Sequence, residues 1–126
     1  MNIKNLVASL WVLAVCAACE SGTTGAACPP DDPPTYANFG QGFMGSYCTR
    51  CHSAGLAGAD RYSAPDDINL DSLVGIRQHT QRIEASTASG PSATYDFMPP
   101  RLSTIAGQPT LQERQRLGQW LACGLK

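Results

Sequence analysis

Basic charge is scarce in this chain, and what there is lies scattered. Nine Lys and Arg stand among 126 residues, with no cluster that would make an electrostatic footprint for nucleic acid. Charged residues of both signs reach 15%, for a formal net charge of −1. Aromatic residues are 7%, so a core has to be built mainly from aliphatic side chains. Histidine occurs twice, at His52 and His79. No base, nucleophile or second metal cluster stands out, which argues against an enzyme in its own right. No apolar run reaches the ~20 residues of a membrane-spanning helix, and no alternating strand pattern is convincing. Gly (12) and Pro (9) are by contrast plentiful, which predicts a large share of loop. The length predicts one domain, small enough to gain from a covalent staple or a large bound ligand.

The first residues read as an export signal. Lys4 precedes the uncharged stretch Leu6–Val15, which is short for a bilayer span but suits a signal-peptide core. Small residues follow at Cys16-Ala17-Ala18-Cys19. Three outcomes are open: an ordinary signal cleavage, a lipoprotein beginning at Cys19, or a short uncleaved anchor. Cys16-Ala17-Ala18-Cys19 resembles a bacterial lipobox, departing from it at Cys16, and favours lipidation of Cys19. This places the chain outside the cytoplasm, lipid-anchored on the periplasmic side of a bacterial membrane, the outer more than the inner. Residues 1–18 are then signal and 19–34 a flexible tether rich in Pro and Gly, including Pro29-Pro30-Asp31-Asp32-Pro33-Pro34. Residues 35–126 are the folded domain.

Six cysteines can be accounted for without remainder. Cys16 goes with the signal and Cys19 takes the lipid. Cys48 and Cys51 belong to a motif with His52. Cys28 and Cys123 remain, and in an exported protein such a pair reads as a disulfide.

Cys48-Thr49-Arg50-Cys51-His52 is the attachment signature for c-type haem. Two thiols on one helical turn can both reach one porphyrin edge, and the following histidine comes under the iron as axial ligand. Three rivals share parts of the pattern. A thioredoxin-like redox pair calls for a βαβ setting, and no strand pattern precedes Tyr47. Zinc calls for four ligands, and the second histidine is isolated. A disulfide between Cys48 and Cys51 would be strained by the two-residue gap.

A sixth iron ligand is expected from Met98, in Phe97-Met98-Pro99-Pro100, where the prolines stiffen the loop and a thioether raises the potential. Apolar filling is the bland alternative for Met98 and the weaker of the two. His79 competes as ligand, but its polar surroundings suit a surface or capping histidine better. Met44, one turn before Cys48, is expected in the core. Tyr95, Arg77, Arg82, Arg101 and Trp120 are candidate partners for haem propionates, with nothing in the spacing to select one.

The spacing predicts a helix over 35–51, with Tyr36, Phe39, Phe43, Met44 and Tyr47 on one face and Gly40 marking close approach of another helix. A second helical stretch covers 67–86, either whole or as a turn at Leu70–Leu73 and a helix from Val74. Thr110-x-x-Glu113 is a capping box opening a helix through Ala122, with Leu111, Leu117, Trp120 and Leu121 as its apolar face and Gly124 as its stop. Residues 90–107 read as loop.

Gly40, Met44, Cys48, Cys51, His52, Met98-Pro99 and the C-terminal helix together resemble a class I c-type cytochrome of the small bacterial lipoprotein type, over roughly residues 35–123. Met44, where an aromatic is frequent, and the Cys28/Cys123 pair depart from the pattern. The resemblance implies a small all-α fold of three to four helices around one covalent haem c, in which the haem-bearing helix crosses the C-terminal helix. It implies electron transfer to a protein redox partner. A haem-based sensor and a subunit of a larger oxidoreductase are the alternatives.

Overall fold

The computed structural model describes residues 23–101 and 104–126, so the signal segment, Cys16 and the lipidation candidate Cys19 lie outside the described residues. Among the described residues the fold is all-α, with an isolated antiparallel bridge between Ser89 and Thr94. A π-helical turn, Tyr36–Gly40, runs straight into helix α1, Gln41–Tyr47. A 3-10 turn, Gly58–Arg61, lies in the following loop. Then come α2, Leu73–Gln78, α3, Thr80–Thr87, and α4, Leu111–Ala122. No helix among the described residues is long and apolar enough to cross a membrane.

Local chemistry sets the helix ends. Thr35 Oγ1 accepts from Asn38 N (3.1 Å) while Asn38 Oδ1 accepts from Thr35 N (2.6 Å). Thr110 and Glu113 make the same reciprocal bonds at the start of α4, as the capping box predicts. At its end Gly124 takes φ +71°, and Gly124 N and Leu125 N donate to Leu121 O and Trp120 O. This pairing satisfies the last carbonyls and requires the left-handed conformation that glycine adopts freely. The stretch 67–86 is neither one helix nor a turn followed by a helix from Val74: residues 67–72 are not helical, and the helix that begins at Leu73 is broken at His79 into α2 and α3. Ser72 caps α2, and the chain leaves helical geometry at His79, whose ring is bonded to the Asp67 carbonyl. The 3-10 turn was not foreseen, because Gly58–Arg61 carries no apolar period.

The Tyr36–Gly40 turn packs on α4 through Gly40. Its backbone lies flat against the Trp120 indole, and a methyl group there would overlap the ring. Phe43, Met44, Leu117, Trp120 and Leu121 are buried in the core around this crossing, joined by Ile76 and Ile83. Gly40→Ala should gain helix propensity of ~1 kcal/mol yet destabilise the domain by ~1–3 kcal/mol through overpacking. Urea unfolding measures the net sign, and an unchanged or raised midpoint would remove the reason for glycine.

Two expectations need correction. Leu111, assigned to the apolar face of α4, is 57% exposed, and Arg114 occupies the buried face at 4%. Among residues 19–34, expected to be a flexible tether, residues 23–34 are pinned to the domain at Thr24, Cys28 and Pro34, with Pro30, Asp31 and Asp32 left exposed. Thr24 is fully buried, donating from N (2.9 Å) and Oγ1 (2.7 Å) to Glu84. Pro34 is buried, and Cys28 is disulfide-bonded to Cys123 as the cysteine count predicts. Composition misled here because a buried carboxylate and a covalent bond, rather than apolar side chains, hold the segment.

Candidate functional site

The end of α1 carries the C-x-x-C-H residues into one turn. Cys48 N donates to Met44 O (2.9 Å) and His52 N to Cys48 O (2.9 Å), so Cys48 and Cys51 sit on one helical turn as expected. Both are unbridged and half-buried. Burial, with a smaller contribution from the Cys51 charge, pushes the Cys48 thiol up to about 12. That is opposite to the low thiol pKa a dithiol oxidoreductase needs.

His52 is half-buried, and its Nδ1 lies 3.3 Å from the Ile68 carbonyl. A carbonyl only accepts, so this contact favours the tautomer with the proton on Nδ1, which leaves the Nε2 lone pair for a ligand. Desolvation holds the imidazole below its usual pKa. The Ile68 bond opposes this, and the Arg61 and His79 charges reinforce it. Both the contact and the lowered pKa favour a neutral, oriented ring, the state a metal-binding histidine requires.

The loop after His52 folds around Arg61, which is 3% exposed. Its guanidinium donates to the carbonyls of Ser53 (2.6 Å), Pro65 (2.6 Å), Ile68 (3.0 Å) and Ala64 (3.3 Å), and to Asn69 Oδ1 (3.0 Å). Asp71 closes the loop from outside, accepting from Ser53 Oγ (2.8 Å) and Ala54 N (2.9 Å). The Ser53 bond, with help from the Ala54 bond and the Arg61 charge, holds its carboxyl below the usual range against desolvation.

Met98 comes from the far side. Met98 N donates to Ser86 O at the end of α3 (2.9 Å). The carbonyl of Met98 accepts from Arg114 Nη1 (3.0 Å), which also serves Thr87 O (2.9 Å) and Tyr95 O (3.1 Å). Arg114 Nη2 donates to Gln108 Oε1 (3.1 Å), and Gln108 Nε2 donates to Pro99 O (2.9 Å) and Pro100 O (3.2 Å). Two side chains thus clamp three consecutive carbonyls of the Met98 loop.

Between these walls runs a cleft of about 250 Å³, open on one side. Cys48, Cys51, His52 and Met98 all line it, and Pro65, Ile68, Leu70, Ile83, Pro99 and Ala106 make it apolar. The donor set fits a covalently held haem: two thiols on one turn, an imidazole with Nε2 free, and a thioether from a separate loop, all on apolar walls. Among the described residues no group of three or more His, Cys, Asp or Glu is placed to hold a metal ion. His79 also lines the cleft, but its Nε2 is 3.0 Å from Asp67 O, beside the Ile68 carbonyl that holds His52. It belongs to the His52 wall rather than to the Met98 loop.

Of the five propionate candidates, Arg82 lines the cleft. Arg77 reaches Leu125 O (3.4 Å), Arg101 pairs with Asp96, and Tyr95 packs on Phe97. Trp120 is buried against Tyr36 and Phe39, its Nε1 without a hydrogen-bond partner among the described residues. Sequence reasoning missed Arg61 and Arg114. Arg114 did leave a signal, since it lies three and seven residues before the buried Leu117 and Leu121. Arg61 left none. Comparison with protein-family models, with curated proteins and with solved structures finds no match to this chain.

Proposed function

We propose that this chain is a class I c-type cytochrome, an electron carrier with one haem c bound through Cys48 and Cys51 and ligated by His52 and Met98. The observation that carries this is the cleft itself. Four residues of the required chemistry, from two segments distant in sequence, line one apolar cavity. Haem supplies the one-electron ferric–ferrous chemistry when bound. The chain's residues attach it, donate from His52 Nε2 and the Met98 thioether, and exclude water with Ile68, Leu70 and Ile83. Haem held by both His52 and Met98 would keep no position open for a substrate, which suits electron transfer. The export signal and Cys19 support lipid anchoring at a periplasmic membrane surface, near a protein redox partner.

The test is periplasmic expression together with the haem-attachment machinery. Haem that stays on the chain through denaturing electrophoresis is expected, with a ferric methionine–iron charge-transfer band. Met98→Ala should lose that band and lower the potential. A wild-type chain without covalent haem would sink the proposal. Met98 is 40% exposed, which favours one second reading, a sensor in which a small ligand displaces it. Ready carbon monoxide binding by the reduced protein would support that reading; resistance supports electron transfer.

A further inference from the structure

The Ile68 carbonyl is shared. It accepts from His52 Nδ1 at 3.3 Å and from Arg61 Nη2 at 3.0 Å. A carbonyl has two lone pairs and can hold both donors. The charged donor at the shorter distance takes the larger part of the acceptor's strength, and 3.3 Å lies beyond the usual range for an N–H···O bond. Arg61 is buried; its ion-pair partner among the described residues, Asp66 at 3.3 Å, is 94% exposed, and Asp71, the other carboxylate that feels its charge, is exposed as well. The remaining partners are neutral oxygens of the loop 53–69, so the positive charge is solvated by protein dipoles and incompletely neutralised.

We propose that Arg61 is the positioning residue for His52, setting its orientation and donor strength through the shared Ile68 carbonyl and biasing the site toward its reduced form. The proposal rests on the haem reading above. Two effects share one sign. By occupying Ile68 O, Arg61 weakens the Nδ1–H bond and lowers the basicity of Nε2, so the electron-poor ferric state gains less from the histidine. A buried cation beside the site also opposes the additional positive charge of the oxidised form. Removing Arg61 releases both effects and favours oxidation. A guanidinium is needed because one planar fork reaches Ser53 O, Pro65 O and Ile68 O at once; an ammonium cannot.

The test compares haem-loaded wild type with Arg61→Met and Arg61→Lys. Spectroelectrochemical titration reads the midpoint, and NMR of the His52 Nδ1–H reads its hydrogen bond. Arg61→Met should shift the ferric:ferrous ratio about tenfold toward ferric at the wild-type midpoint, ~59 mV for one electron. The Nδ1–H signal should move toward a stronger bond. Arg61→Lys, which keeps the charge and loses the fork, should shift both in the same direction by less. If Arg61→Met does not load, Arg61→Lys decides on the same two readouts. Loaded variants that melt earlier but keep the wild-type midpoint and Nδ1–H signal would mean Arg61 is merely structural, overturning the proposal while leaving the haem reading intact. A wild type without haem overturns both.

Discussion

Arg114→Leu is expected to cost ~3 kcal/mol or more, measured as the loss of unfolding free energy in urea. The wild-type guanidinium is 4% exposed and serves Thr87 O, Tyr95 O, Met98 O and Gln108 Oε1. Leucine fills part of the volume but leaves four acceptors without their donor. A charged donor contributes ~1.5–3 kcal/mol per bond, and carbonyls on the open side of the loop can recover water, so the total falls well below the simple sum. The effect should also be local. Gln108 loses its anchor, and its bonds to Pro99 O and Pro100 O loosen with it. Met98 is then positioned by its single backbone bond to Ser86 O. In haem-loaded protein the methionine–iron band should weaken in Arg114→Leu even at temperatures where the domain stays folded. Arg114→Lys should recover part of the stability and little of the band, since one ammonium cannot serve acceptors on both sides of the loop. A folded Arg114→Leu with a wild-type band would separate the clamp from Met98.

Much of the site was legible because its chemistry is local. Cys48, Cys51 and His52 share one turn, so their spacing in sequence is their spacing in space. The capping box at Thr110, the stop at Gly124 and the contact implied by Gly40 were legible for the same reason. Each is a backbone requirement that few residues meet. The Cys28–Cys123 bond followed from counting thiols. What stayed hidden depends on long-range polar partners. Arg61 and Arg114 are buried because loop carbonyls converge on them, and nothing in the spacing of those carbonyls announces it. Thr24 and Glu84 pair across 60 residues by the same kind of contact. Leu111 fell outside the core because Arg114 had taken the buried stripe of α4.

Removing both partners of the Cys28–Cys123 bond, as Cys28→Ser with Cys123→Ser, should cost ~2–5 kcal/mol, with the chain-entropy model giving ~4.7 kcal/mol for the 95-residue separation. The Asp32–Arg116 ion pair (2.9 Å) has its carboxylate 81% exposed and contributes little, so the non-covalent hold on residues 23–34 falls to the Thr24–Glu84 bonds, the Ser92 N bond to Thr24 O (2.8 Å) and buried Pro34. Haem attachment should survive in the double variant, because Cys48 and Cys51 remain the two thiols of the described domain. The single variants should differ. Each leaves a third thiol that can capture Cys48 or Cys51 in an oxidising compartment and remove it from attachment. Cys123 is 5% exposed at the end of α4, whereas Cys28 is exposed on a segment released by the mutation. Thiol exchange requires access, so Cys123→Ser, which frees Cys28, should lose more covalent haem than Cys28→Ser. Intact mass without reduction counts both the haem and the wrong bridges. Equal haem occupancy in the single and double variants would show that the disulfide stabilises the domain without protecting its attachment cysteines.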